Sequence, residues 1–137
     1  MFYVKEIITP ANTSRLAPKI TEMKVWGGVI HHVEIMFPPG CMSLLHVTLS
    51  IGGWQFAPSD PDQSFAGDDE TISYREYIPL KSGWNVIKIK TWNEDDTYDH
   101  MCRVRIGILP KWLVDPRREI RVLAGRMGKL LRRIGAV

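Results

Sequence analysis

The sequence predicts an all-β protein: an antiparallel β-sandwich, jelly-roll-like, with a C-terminal amphipathic α-helix. Short apolar segments alternate with polar residues at the two-residue period of strands buried on one face. Turn residues separate these segments at frequent intervals, and no helical period precedes residue 110. The charge then splits the chain in two. Residues 115–137 hold seven bases against two acids, about +5, whereas residues 1–114 hold eleven bases against thirteen acids, about −2. The chain is therefore read as a body, residues 1–110, and a basic arm, residues 111–137.

The elements follow in order. Phe2–Thr9 is a short apolar segment ended by Pro10 and a polar run. Lys19–Trp26 alternates weakly, with Ile20 and the Val25-Trp26 pair as its apolar content, and Gly27-Gly28 breaks it. Val29–Phe37 is rich in β-branched and aromatic residues and stops at Pro38-Pro39-Gly40, which suits a tight turn. Leu45–Ile51 is the clearest strand. Leu45, Val47, Leu49 and Ile51 alternate with His46, Thr48 and Ser50. Gly52-Gly53 before Trp54-Gln55-Phe56 then reads as a two-residue hairpin. A long acidic loop, 57–70, leads to a strand over 71–80 and a turn at Lys81-Ser82-Gly83. Trp84–Trp92 places Ile87 and Ile89 on one face and Lys88 and Lys90 on the other. After a second acidic loop, His100–Leu109 turns Cys102, Val104, Ile106 and Ile108 one way and Arg103 and Arg105 the other. Such one-sided patterns belong to antiparallel sheets.

The arm differs in period. Asp115 suits an N-cap and Pro116 a first helical position. Ile120, Leu123, Met127, Leu130, Leu131 and Ile134 recur at spacings of three and four, the stripe of an amphipathic helix. Arg117, Arg118, Arg121, Lys129, Arg132 and Arg133 occupy much of the remainder. Gly125 and Gly128 weaken the helix, so its order depends on packing against something.

Composition excludes several classes. A 45% hydrophobic content supports a core and argues against disorder. No run is long and apolar enough to span a membrane. The N-terminus lacks the basic and apolar regions of a secretory signal, so none is expected. Cys41 and Cys102 read as buried reduced thiols, although both lie near strands where a disulfide is geometrically conceivable. Their spacing suggests no zinc site, and no cofactor is expected.

The residue types offer no chemistry. Asp60, Asp62, Asp68, Asp69 and Glu70 and the later group Glu94, Asp95, Asp96 and Asp99 could supply oxygen ligands to Ca²⁺, but they match no known spacing and read as turn caps. His31 and His32 are neighbours on a strand and point to opposite faces. His46 lies on a polar strand face, and no Ser-His-Asp or Cys-His set assembles around it or His100. Among the five tryptophans, Trp84 and Trp92 share a face with Lys88 and Lys90, a face that could be exposed and stack on sugars. Aromatics in a sandwich core or an interface are the ordinary alternative.

The arm has three readings: an interfacial helix on anionic lipid, a nucleic-acid ligand, or a helix docked in a partner's groove. The stripe favours docking, since phosphate neutralisation needs no apolar face. Its contact residues would be Ile120, Leu123, Met127, Leu130, Leu131 and Ile134, with Arg117, Arg118, Arg121, Arg132 and Arg133 around them.

Several segments carry a resemblance: Val33–Cys41 (VEIMFPPGC), Trp54–Asp62 (WQFAPSDPD), Gly67–Ile72, Trp92–Tyr98 and Gly107–Pro110. Together they resemble small β-rich proteins of tailed phages, over roughly residues 5–110. The resemblance implies a non-enzymatic virion protein, a capsid decoration or head-tail accessory. It would be made in the host cytoplasm and assembled with capsid or head-tail subunits, with homo-oligomers in the particle. A carbohydrate-binding module and a nucleic-acid-binding accessory protein are the alternatives.

Overall fold

The computed structural model describes residues 1–114 and 116–135, and the side chains of 116–120 and 122 are outside the description. Eight strands form the body: β1 (Phe2–Thr9), β2 (Lys19–Trp26), β3 (Val29–Phe37), β4 (Leu45–Ile51), β5 (Trp54–Ala57), β6 (Glu70–Pro79), β7 (Trp84–Asn93) and β8 (His100–Leu109). Two helices follow, α1 (Lys111–Val114) and α2 (Pro116–Arg133).

The strands make two four-stranded antiparallel sheets, ordered β1-β8-β3-β6 and β2-β7-β4-β5. Only β4 and β5 are sequence neighbours within a sheet; every other connection crosses between sheets. This is jelly-roll connectivity. The β4–β5 turn is the hairpin expected from Gly52-Gly53. Ile51 pairs with Trp54, and both glycines take positive φ, 55° and 82°. That is the mirror-image turn whose twist matches paired strands.

One face of each strand enters a shared core that includes Ile7, Met23, Val33, Phe37, Leu49 and Ile106, all buried. The inward set is as expected in β4 (Leu45, Val47, Leu49), β7 (Ile87, Ile89) and β8 (Cys102, Val104, Ile106, Ile108), although Thr48 and Ser50 on the other side of β4 are buried as well. The alternation misleads in β2, where Met23 and Val25 are the inward residues and Ile20 is exposed. In β3 a register irregularity between Ile30 and His32 breaks the simple alternation assumed for the two histidines. The α1 turn before the main helix was not anticipated.

The pairings Thr9↔His100, Phe37↔Glu70 and Leu45↔Asn93 place loops 10–18, 38–44, 58–69 and 94–99 at one end. The turns at 27–28, 52–53 and 80–83 lie at the other, as the pairs Trp26↔Trp84, Ile51↔Trp54 and Val29↔Pro79 show. Val29 also pairs with Leu109 there, so the arm leaves from that second end.

Candidate functional site

The arm begins where β8 stops at Pro110, and α2 spans 18 residues, about 27 Å of helix. Its described apolar side chains are exposed: Leu123 by 58%, Met127 by 56%, Leu130 by 59%, Leu131 by 40% and Ile134 by 68%. At 3.6 residues per turn these five cover a stripe about 100° wide. Arg121, Lys129, Arg132 and Arg133 are exposed as well, so one helix carries both groups. Arg117, Arg118 and Ile120 belong to the same set in sequence, but their side chains lie outside the described residues, as does Asp115.

At the opposite end the four loops are bound into one surface. The Asn12 N–H donates to Asp95 O (2.8 Å), the Arg15 guanidinium to Asp62 O (3.1 Å), Ser43 N–H to Gly67 O (3.2 Å) and Glu94 N–H to Leu44 O (2.9 Å). The acids there cap backbone. Asp68 Oδ1 accepts from Gly40 N–H at 2.8 Å, and Asp99 Oδ1 from Ala11 N–H at 2.9 Å. Among the described residues, no three His, Cys, Asp or Glu side chains gather as metal ligands would.

Asp95 Oδ1 accepts from the backbone N–H of Thr97 at 2.9 Å, and Oδ2 lies 2.8 Å from His100 Nε2. The Thr97 bond, then the His100 bond, hold its carboxyl below the ordinary carboxylate range. A depressed carboxylate pKa stabilises the fold above the unfolded value and ceases to do so as pH falls through the folded one. Asp95→Ala is therefore expected to lower the melting temperature at pH 7. The gap from wild type should narrow progressively as pH falls below the ordinary carboxylate value and through the lower folded one. A gap that persists undiminished in acid would refute this role.

The tryptophans divide. Trp92 is a correction: despite its outward parity it is 6% exposed. The His46 ring stacks on it at 5.1 Å and 4°, and the Arg15 guanidinium lies 5.3 Å from its centroid. His46 is also held, its Nδ1 2.8 Å from Ser64 Oγ. Loops 10–18 and 58–69 thus cover the end of that face, a tertiary effect invisible to strand parity. Trp26 and Trp84 meet edge-on at 5.2 Å and remain exposed. Trp54 borders a depression of about 390 Å³ floored by Thr48, Ser50 and Lys90 and walled by Ser59 and Pro61. The Gln55 amide fixes that wall: its Nε2, with two N–H donors, lies 2.9–3.2 Å from Pro58 O, Asp60 O and Gln63 O.

Both cysteines are free and buried. Burial pushes the Cys102 thiol to about 12 and raises Cys41, so both stay protonated at neutral pH. Neither is expected to react with a thiol-exchange reagent at pH 8 until denaturant is added, after which two thiols per chain should titrate. Rapid reaction of the native protein would contradict the burial.

Residue patterns also missed a surface on the outer face of β1. Phe2, Val4 and Ile8 are exposed there, and Phe2 lies over Gly107 against His32. Both parities of β1 contain apolar residues, so its sequence carried no signal for which face turns outward.

The fold and surfaces together define a jelly-roll body with an appended amphipathic helix whose described apolar side chains are exposed. Compared with protein-family models and with curated proteins, the chain matches none. No helix among the described residues is long and apolar enough to cross a membrane.

Proposed function

We propose that this is a non-enzymatic structural protein that docks on a larger assembly through α2, as a capsid decoration or head-tail accessory of a virion. One observation carries the reading. The β-body closes its own core, while the stripe Leu123, Met127, Leu130, Leu131 and Ile134 on α2 stays in solvent. Burying four of these, Leu123, Met127, Leu130 and Ile134, contributes roughly 1.5–3 kcal/mol each before ordering costs. The arginines then set orientation and association rate more than affinity. The virion setting rests on the resemblance of residues 5–110 to phage proteins.

Truncation after Pro110 tests the role. The body, residues 1–110, should keep its circular dichroism spectrum and cooperative melting but be missing from purified particles that incorporate the full chain. Normal incorporation of the truncated body would refute docking by the arm. Nucleic-acid binding by the arm predicts instead a steep loss of affinity with salt, which apolar docking does not.

A second reading, carbohydrate binding, is favoured by the depression beside Trp54, where an exposed indole adjoins hydroxyls and the Lys90 ammonium. It predicts that oligosaccharides change Trp fluorescence in the wild type but much less in Trp54→Ala.

A further inference from the structure

The geometry points to a second copy of this chain as the surface that receives α2, in a head-to-tail contact; this rests on the docking role proposed above. The molecule is electrostatically polar. The four loops at one end, 10–18, 38–44, 58–69 and 94–99, hold eight acids against the single base Arg15. The turns at the other end, 27–28, 52–53 and 80–83, hold no acid, and from that end the arm departs, with eight bases against two acids in residues 111–137.

The acidic end also offers apolar contacts. Leu16 is 97% exposed, and Met42 and Tyr98 are exposed by 71% and 68%, on three different loops. Hydrogen bonds between those loops hold them in one surface, so the three side chains are presented by a built platform. It mirrors the arm, whose stripe of Leu123, Met127, Leu130 and Ile134 runs beside cations.

Charge decides between the possible pairings. Arm against arm brings two cationic helices together, and acidic end against acidic end brings two sets of carboxylates together. Both are opposed. Only arm against end joins opposite charges while covering apolar side chains on both partners. The two surfaces lie at opposite ends of strands that are up to ten residues long, about 33 Å. The described stripe of α2 is exposed rather than closed on its own body. A contact between two different surfaces is heterologous, and repeated it builds a ring or an open chain. An anionic membrane would satisfy the arm but would leave Leu16, Met42 and Tyr98 without a role.

Complementary variants of the full chain test this by sedimentation velocity. One carries Leu123→Asp and Leu130→Asp in the arm; the other carries Leu16→Lys and Tyr98→Lys at the loop end. All four sites are exposed, so both should melt like wild type. Wild type should grow in mass with concentration beyond a dimer. Each double variant alone should lose that growth and sediment as a monomer. Their equimolar mixture should form a dimer and stop there, since only one intact arm and one intact end can meet. The inference is overturned if wild type is monomeric at every concentration, whether or not it sediments with anionic phospholipid vesicles. It is equally overturned if either variant alone still self-associates, or if the mixture fails to pair. A monomeric wild type whose truncation after Pro110 still abolishes particle incorporation would remove the second copy as partner and leave the docking role standing.

Discussion

Phe37→Ala is expected to destabilise the protein by about 3–5 kcal/mol. Phe37 closes β3 at the loop end, is 1% exposed and is among the largest buried side chains. Removing its ring forfeits the transfer energy of the buried aromatic and leaves a cavity that antiparallel neighbours on both sides prevent from collapsing. β3 pairs with both β6 and β8, so the backbone there cannot move inward without loss of ladder bonds. Urea unfolding should show a lower midpoint at an unchanged slope. Ile20→Ala, at an exposed position on β2, should stay within about 0.5 kcal/mol of wild type. If the two substitutions cost the same, the assignment of the core is wrong.

Gly27→Ala is expected to be the most damaging single-methyl change, costing about 3 kcal/mol, at the upper end of overpacking penalties. A Cβ at Gly27 would sit 2.3 Å from the Lys81 carbonyl oxygen, which is backbone and cannot rotate away. The Gly27 N–H donates to Gly83 O at 2.8 Å, and Leu80 N–H donates to Gly28 O at 2.8 Å. The β2–β3 turn is therefore clamped to the β6–β7 turn, and relief of the clash would break the clamp. Substitution at Gly40, where an added Cβ meets nothing, suffers only the strain of its positive φ of 102°. Thermal melting of the two variants separates the effects: Gly27→Ala should melt about 10 °C lower than wild type, and further below it than Gly40→Ala. The reverse order would show that the two turns are not packed as described.

Residue order alone determined the strands, because burial on one face of a sheet imprints a period of two. Ile87 and Ile89, buried, against Lys88 and Lys90, exposed, show this most clearly. The Gly52-Gly53 hairpin was legible because only that turn type demands two positive φ values in a row. The arm was legible because its period and charge both change near residue 115. Trp92 was not legible: its outward parity was readable, but its cover of Arg15 and His46 comes from 77 and 46 positions earlier in the chain. Nor was the pole of eight acids, which exists only because jelly-roll crossings bring loops 58–69 and 94–99 to one end. Local pattern records which face of a strand meets the core, since that is decided residue by residue. Which loops become neighbours, and which charged surface a cationic arm leaves behind it, depends on pairings between distant strands, and those were decided by the tertiary structure alone.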